Sequence, residues 1–277
     1  MTANIKGELM DFSSPKVMGI INFTPDSFYR ASRKRDAEEI AVAARRMIEE
    51  GVDIIDVGAY SSRPFADYVE QEEELRRLEF GLEALFAAVP EAVVSVDTFR
   101  SDVARYAVER FGVAIVNDIS AGGLDSRMFE TVARLGVPYV AMHSLGSPQT
   151  MMQYTCYGDM MREIFLYFSE RINRLRLLGV SDIWVDPGFG FSKTTAQNYE
   201  LLRRLEDFGI FELPVLVGFS RKTMIREVLG TGTEDSLNGT TALNMLALTK
   251  GAHILRVHDV KAAVETVRLF DRQRQGM

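Results

Sequence analysis

Cysteine is almost absent from this chain: among 277 residues there is one cysteine, Cys156, and there are three histidines. A single cysteine cannot close an internal disulfide, and no group of Cys and His has the spacing of a zinc site. We therefore expect neither a disulfide framework nor a structural zinc centre. A chain of this kind suits a reducing, cytoplasmic compartment.

Long uncharged apolar runs are also absent. No stretch approaches the roughly 20 apolar residues that a membrane-spanning helix needs. Residues 1–12 lack the apolar segment of a signal peptide. We therefore expect a cytoplasmic protein that has no membrane partner.

Positive charge is in the minority, since the formal net charge is -7 at pH 7. A surface of this sign repels a phosphate backbone on average, which argues against nucleic-acid partners. An anionic ligand must therefore be held by a few local cations. Apolar residues make up 47% of the chain, which is enough for a large core.

What the chain does contain is a set of eight short apolar runs at fairly even spacing, each ending on a polar or charged side chain. Near-continuous Val, Ile and Leu are typical of parallel strands that helices cover on both faces. The runs are Val17–Asn22, Ile54–Asp56, Val93–Asp97, Val113–Asn117, Val137–His143, Ile183–Asp186, Val215–Ser220 and Ile254–His258.

Segments with a helical apolar period separate these runs. In Asp36–Glu50 the apolar positions share one face, and Asp36 with Glu39 resembles a capping box. The later segments of this kind are Glu70–Ala88, Ser101–Arg110, Ser126–Leu135, Gly158–Leu178, Ala196–Phe208, Ser236–Lys250 and Val260–Arg272.

Regular alternation of strand and helix predicts an α/β fold, a single-domain (β/α)8 TIM barrel of the usual size of about 250 residues. We expect the barrel to span residues 16–277 and residues 1–15 to form an N-terminal extension. The carboxyl ends of barrel strands form one rim, where the active site is built. Polar residues that end the runs should therefore converge there.

Carboxylates are prominent among those strand-end residues. Asp56, Asp97 and Asp186 each end a run, and Asn117 ends another. One such residue alone is often just a helix cap or a turn former. Three carboxylates on one rim suit a metal, the polar N–H edges of a ligand, or proton chemistry. Ligand recognition is favoured over chelation by the protein alone, because clustered His or Glu partners are missing.

Basic side chains form a second group near the same rim. Most Arg and Lys side chains are simply solvated, but the loops after strands seven and eight of such barrels often carry a phosphate site. We therefore expect a phosphate or diphosphate to bind there, whereas His253, at the start of the last run, should be structural. The basic group comprises Arg63, Arg221, Lys222, Arg256 and His258.

Two glycine-bearing segments, Asp186–Lys193 and Gly218–Lys222, follow the sixth and seventh runs. Glycine allows the backbone to approach a flat ligand closely. Phe191, between Gly190 and Ser192, is placed to stack on such a ligand, although a single Phe more often packs in a core.

Several motifs, in this order and spacing, resemble those of the dihydropteroate synthase family over about residues 16–270. Any one of them alone is weak evidence, but together they are specific. The motifs are Met18–Phe28, Ser62–Pro64, Val96–Thr98, Asn117–Ser120, Met142–His143 with Gly146–Thr150, Asp186–Lys193, Ser220–Lys222 and Arg256–Asp259.

The resemblance implies a homodimeric barrel enzyme of folate biosynthesis, the family of sulfonamide targets. It would join para-aminobenzoate to 6-hydroxymethyl-7,8-dihydropterin diphosphate, giving 7,8-dihydropteroate and diphosphate. Bond cleavage before attack of the amine would leave a cation on the pterin. The side chains implied to carry catalysis are Asp97, Asp186, Lys222 and Arg63.

The resemblance also implies ligand-binding residues. The implied pterin site comprises Asp97, Asn117, Met142, Asp186, Phe191, Gly218 and Lys222. The implied diphosphate site comprises Asn22, Ser62, Arg63, Arg256 and His258, with Mg²⁺ reached through Asn22. The implied para-aminobenzoate site comprises Phe28, Ser62, Pro64, Lys222 and Thr223.

Two long loops depart from the family pattern. Tyr29–Arg33 lacks the usual glycines, and Tyr60 and Phe65 replace an acid and a glycine in the second loop. These changes leave open a noncatalytic pterin-binding paralogue. A methyltetrahydrofolate-dependent methyltransferase is the other alternative, but it has no diphosphate to expel, and the basic residues of the rim argue against it.

Overall fold

Each of the eight apolar runs contributes a strand to one parallel sheet in the computed structural model. The structure describes residues 1–23, 33–63 and 65–274, with only the backbone for residues 33–35. The strands are β3 (Lys16–Asn22), β4 (Ile54–Gly58), β5 (Val94–Asp97), β6 (Ile115–Asp118), β7 (Tyr139–Met142), β8 (Ile183–Asp186), β9 (Leu216–Val217) and β10 (Ile254–Val257). β1 (Thr2–Ile5) and β2 (Glu8–Asp11) form a separate antiparallel pair.

The sheet closes into a barrel. Strands β3 to β8 are neighbours in chain order, and β10 lies between β3 and β9. A parallel bridge between Val185 and Val215 joins the two ends of the sheet, and the Val185 N–H donates to the Pro214 carbonyl over 2.9 Å. The predicted (β/α)8 barrel is therefore confirmed.

Helices surround the barrel, and the main apolar core lies between them and the sheet. Within the described residues the α-helices are α1 (Arg33–Glu50), α2 (Gln71–Ala88), α3 (Ser101–Phe111), α4 (Met128–Leu135), α5 (Met160–Leu177), α6 (Thr195–Arg203), α7 (Thr223–Leu229), α8 (Leu237–Thr249) and α9 (Val260–Arg274). Short 3-10 helices occupy Met151–Gln153, Leu205–Phe211 and Glu234–Ser236.

Two local predictions differ from the structure. Helix α1 begins at Arg33, so Asp36 lies in its first turn and is not the N-cap. An acid in the first turn still stabilises the positive end of the helix dipole, which explains the misleading sequence signal. Helix α7 was not predicted; it begins at Thr223, directly after the glycine-bearing segment Gly218–Lys222.

The β1–β2 hairpin packs against the amino end of the barrel, opposite the rim. Phe12, which follows the hairpin, lies edge-on to the fully buried Trp184, with ring centroids 5.5 Å apart. His253 lies beside Phe12, and its Nδ1 accepts the Val215 N–H over 3.2 Å. The predicted structural role of His253 is therefore confirmed. The division of the chain at residue 15 stays a prediction.

None of the helices in the described residues combines the length and the apolar character of a membrane span. Cys156 is exposed and forms no disulfide.

We expect Phe12→Ala to lower the free energy of unfolding by about 3–5 kcal/mol, because it removes a buried ring that packs on Trp184. Urea unfolding followed by circular dichroism measures the change. Leu9→Ala is the matched control, since Leu9 lies in the same hairpin and is 72% exposed. Equal effects of the two substitutions would show that the hairpin does not pack on the barrel as described.

Candidate active site at the carboxyl rim of the barrel

Arg256, at the end of β10, joins two carboxylates from other strands. Its Nε donates to Asp56 Oδ2 over 2.7 Å, and its Nη2 donates to Asp97 Oδ2 over 2.7 Å. Asn117 Nδ2 donates to the same oxygen of Asp56 over 3.2 Å. Asp56 is fully buried, and Asp97 and Asn117 are nearly so. The structure therefore brings together side chains from β4, β5, β6 and β10.

Burial sets the electrostatics of this cluster. It raises the pKa of the Asp97 carboxyl, although the charge of Arg256 opposes the rise. Burial also lowers the pKa of Arg256, but the charges of Asp56 and Asp97 outweigh that and raise it above its usual value. Arg256 is therefore a permanent cation held between acids.

Asp56 is the site residue to which the sequence assigned no specific role. One carboxylate oxygen accepts from both Arg256 and Asn117. The other, Oδ1, is buried and has no hydrogen-bond partner among the described residues. Buried acceptors without a donor are uncommon. Through its other oxygen, Asp56 orients two neighbouring site residues. Its only sequence signal was its place at the end of the apolar run Ile54–Asp56, although β4 continues to Gly58.

Asp186 and Lys222 form the opposite side of the rim. Burial raises the pKa of Asp186, against the charge of Lys222, and its Oδ1 accepts the Gly188 N–H over 2.8 Å. Burial lowers the pKa of Lys222 to about 8, against the charge of Asp186. The Lys222 ammonium donates to the Phe189 carbonyl and lies 4.8 Å from the centroid of the Phe191 ring. Lys222 therefore connects the two glycine-bearing segments.

Gly218 and Met142 lie near these side chains. A Cβ at Gly218 would lie 3.9 Å from Lys222 Nζ and 3.7 Å from Arg256 Cβ. Met142 is buried at the end of β7 and pairs in register with Asp186. Both therefore lie where the predicted pterin site requires them, although their contact with a ligand stays a prediction.

Lys193 and His143 were quoted in motifs but had no predicted role. Lys193 is buried, and its ammonium lies 2.9 Å from His143 Nδ1 and donates to the carbonyls of Gly188 and Phe191 over 3.0 Å each. Burial lowers the pKa of Lys193 to about 7. Burial and the charge of Lys193 lower the pKa of His143. Lys193 therefore ties the Asp186–Lys193 segment to itself and to His143 after β7.

His258 lies near several cationic side chains. Its Nδ1 lies 2.9 Å from Ser220 Oγ. Burial lowers its pKa to about 4, and the charges of Arg256, Arg221 and Arg63 add to the effect. The charge of Asp259 opposes the effect. Cations that lower the pKa of an imidazole also attract an anionic ligand.

Arg221 differs from the other predicted cations. Its guanidinium donates to both carboxylate oxygens of Asp259, over 2.9 and 3.2 Å, and to Glu234. These acids neutralise it, so Arg221 is a structural ion pair between the β9 and β10 ends of the rim. The expectation that it belongs to an anion site stays a prediction.

The remaining predicted residues lie at the rim or outside the described part of the chain. Asn22, at the end of β3, is partly buried and pairs in register with Gly58. Ser62 is partly buried, whereas Arg63 and Thr223 are exposed. The last two predicted contacts, Phe28 and Pro64, lie outside the described residues.

A metal would find few ligands here. In residues 1–23, 33–63 and 65–274 no three or more His, Cys, Asp or Glu side chains are grouped to hold one. Mg²⁺ commonly binds through one or two protein oxygens together with substrate phosphates. A single side-chain oxygen, as offered by Asn22 at the rim, therefore fits a Mg²⁺ ion that arrives with a diphosphate.

The chain is similar to pterin-binding proteins along most of its length. Residues 18–258 match the family described as pterin binding enzyme. The dihydropteroate synthase of Escherichia coli (strain K12) is 41% identical over 268 residues, which cover 96% of this chain and 94% of that protein. The dihydropteroate synthase of Haemophilus influenzae is 37% identical over 264 residues, covering 94% of each chain.

Solved structures agree. The Yersinia pestis dihydropteroate synthase with a sulfonamide drug complex has a TM-score of 0.90 and 35% identity, covering 99% of this chain and 100% of that one. The Xanthomonas albilineans dihydropteroate synthase with 4-aminobenzoic acid has a TM-score of 0.89 and 36% identity, covering 99% of this chain and 98% of that one.

We expect diphosphate to raise the pKa of His258, because an anion among the cations that lower it would favour the charged ring. In the free protein the ring should stay neutral as the pH falls from 6.5 toward its pKa of about 4. With inorganic diphosphate it should take up its proton at a clearly higher pH. NMR titration of the imidazole signals, assigned with His258→Gln, measures both. If the pKa of His258 were the same with and without diphosphate, the anion would bind away from His258.

Proposed function

The chain belongs to the pterin binding enzyme family, and from this premise we propose that the carboxylates and the basic side chains of its rim bind the two parts of one substrate. Its activity is that of a dihydropteroate synthase. The enzyme condenses 6-hydroxymethyl-7,8-dihydropterin diphosphate with para-aminobenzoate, giving 7,8-dihydropteroate and diphosphate in folate biosynthesis. The contact between Arg256 and Asp97 carries the assignment, because it joins a carboxylate that suits the pterin to a cation that suits the diphosphate.

The pterin binds to the buried carboxylates. Its amino-pyrimidine edge donates N–H groups to Asp97 and Asp186, beside Asn117. The Lys222 ammonium donates to its carbonyl. Hydrogen bonds from a ligand favour the charged form of a carboxylate, so the pterin compensates the burial that raises the pKa of Asp97 and Asp186. The remaining contacts of the ring are with Met142, Phe191 and Gly218.

The diphosphate binds at the positive side of the rim. The low pKa of His258, caused by burial and then by neighbouring arginines, supports this placement. Asn22 would hold Mg²⁺, which when bound would supply positive charge to offset that of the departing diphosphate. The diphosphate ligands in this proposal are Asn22, Ser62, Arg63, Arg256 and His258.

The reaction begins with cleavage of the bond between the pterin methylene carbon and the diphosphate oxygen. The oxygen keeps the electron pair, and the carbon becomes part of a cation delocalised over the pterin ring. Asp97 and Asp186 stabilise that cation, while Arg63, Arg256 and His258 stabilise the departing anion. Fixed charges of this kind, aimed at charge that develops in the reaction, are a main source of rate enhancement.

The amine nitrogen of para-aminobenzoate then forms a bond to the methylene carbon with its lone pair, and the departing diphosphate anion accepts the proton that the nitrogen loses. Lys222 and Thr223 lie together at the start of α7 and, with Ser62 across the rim, border the space that the amine enters. Phe28 and Pro64 complete this site in the proposal. Exclusion of water matters at this step, because water would otherwise capture the cation.

We also propose a cytoplasmic homodimer. Large apolar side chains are exposed on α5, α7 and α8 and on the 3-10 helix that precedes β9, on the outside of the barrel, which favours a partner there. These side chains are Leu166, Leu177, Ile210, Val228, Leu229, Leu237 and Leu246.

We expect the Asp97→Asn variant to lower kcat/KM by about 100-fold or more, because it removes a charge aimed at the cation. The measurement is diphosphate release from the pterin diphosphate with Mg²⁺, with and without para-aminobenzoate. In the unmodified enzyme, release should be coupled to dihydropteroate formation. Tight pterin binding without turnover would indicate a noncatalytic pterin-binding protein, and full activity of the folded variant would remove Asp97 from the mechanism.

We expect light scattering to give twice the chain mass of 31.1 kDa. Val228→Asp should shift the protein toward the monomer, since Val228 is 61% exposed on α7 and a buried unpaired charge disrupts an interface. Leu9→Asp, at the opposite end of the barrel, is the control and should leave the mass unchanged. A monomeric unmodified protein would contradict the proposed assembly.

A further inference from the structure

We propose that Gln149 is a positioning residue for the reaction, because it fixes the loop Ala59–Val69 and thereby holds Ser62 and Arg63 at the rim. We call this loop the arginine loop. The inference rests on the proposed function, in which Ser62 and Arg63 bind the diphosphate. Gln149 itself touches neither substrate in this assignment.

Gln149 bridges two points of the arginine loop that lie on either side of Arg63. Its Nε2 donates to the hydroxyl of Tyr60 over 2.8 Å and to the carbonyl of Ala66 over 2.8 Å. The two N–H bonds of one planar amide point in fixed directions. One side chain therefore sets the distance between the beginning of the loop and the residues that follow Arg63.

The segment that carries Gln149 is itself fixed. The Phe65 N–H donates to the Pro148 carbonyl over 3.0 Å, which adds a backbone tie between the same two segments. Ser147 and Thr150, on either side of Gln149, form a turn in which the Thr150 N–H donates to the Ser147 carbonyl over 2.9 Å. The Ser147 N–H donates to Thr150 Oγ1 over 3.0 Å. Gln149 is therefore presented from an ordered turn.

Tyr60 is held from its other side by aromatic packing. Its ring is buried and lies 5.1 Å from the ring of Phe99, measured between centroids. The guanidinium of Arg100 lies 5.4 Å from the ring centroids of both Tyr60 and Tyr68. Arg100 also donates to the Val69 carbonyl over 2.6 Å and pairs with the buried Glu74. Both ends of the arginine loop are thus anchored.

Arg63 and Phe65 are exposed between these anchors, at 74% for Phe65. An exposed segment keeps a fixed position only if its ends are held. A loop that is ordered before the substrate binds loses less conformational entropy on binding. Gln149 therefore favours binding of the diphosphate without contributing a charge to it.

The test compares Gln149→Met with Gln153→Met. Methionine has a similar length and no N–H donor, and Gln153 lies in the same segment with an exposed side chain. Gln149→Met should raise KM for the pterin diphosphate about 10-fold and leave kcat within about 3-fold, because two hydrogen bonds are lost and no reacting group changes. Gln153→Met should change neither constant.

Hydrogen exchange of the backbone amides in residues 59–69, measured by mass spectrometry, reports how often the loop opens and does not rely on activity. Exchange should be faster in Gln149→Met than in the unmodified protein and in Gln153→Met. Tyr60→Phe removes one of the two bonds and should have a smaller effect on both readouts. The double variant Tyr60→Phe/Gln149→Met should raise KM by less than the product of the two single-variant factors. The bond between the two side chains is lost only once, so the two effects are not independent.

Unchanged exchange in Gln149→Met overturns the proposal, because the loop is then fixed without Gln149. Faster exchange with an unchanged KM also overturns it if Arg63→Gln raises KM. If Arg63→Gln itself leaves KM unchanged, the diphosphate role of Arg63 in the proposed function is wrong, and the positioning role fails with it for that separate reason.

Discussion

The ion pair between Arg256 and the two carboxylates of Asp56 and Asp97 is the constraint on which the rest of the site depends. Asp97 ends β5, Asp56 lies within the neighbouring strand β4, and both side chains are buried. An unpaired buried carboxylate costs several kcal/mol, so two of them can persist here only with a cation between them. The cation comes from β10, about 200 residues after Asp56 in the chain. The barrel therefore has to close before this part of the site is stable.

Lys193, which is buried, and Lys222, which is partly buried, stabilise the segment after β8, which has no regular backbone pairing of its own. Lys193 and Lys222 donate to the carbonyls of Gly188, Phe189 and Phe191. Gly188 has a positive φ of +72°, and a Cβ there would lie 2.0 Å from the His143 carbonyl oxygen, so only glycine fits. The amines thus replace the ladder partners that the segment lacks, and burial lowers the pKa of both. The motif Asp186–Lys193 is in this sense a folding unit as well as a part of the site.

The barrel and the carboxylates of the rim could be predicted because both leave local traces. A buried parallel strand must be apolar, and a polar residue at its carboxyl end has only the rim to face. The pairing of basic residues left no such trace. Arg221 and Arg256 both follow late strands, yet Arg221 pairs with Asp259 and Arg256 with Asp56 and Asp97. Charge alone does not tell whether an arginine meets a ligand or an acid of the protein, because that depends on barrel closure and strand register.

The proposed division of the site follows from the burial of its parts. Asp97, Asn117 and Asp186 are buried strand-end residues, so the pterin half is rigid. Ser62 lies on a loop and the exposed Thr223 lies at a helix start, so the part proposed to receive para-aminobenzoate is built from elements with fewer constraints. Rigid charges are most effective where charge develops, while the second substrate needs an opening through which to enter. The hydrogen bonds of Gln149 to Tyr60 and Ala66 meet both requirements. They restrain the arginine loop on either side of Arg63 and leave the Arg63 side chain accessible.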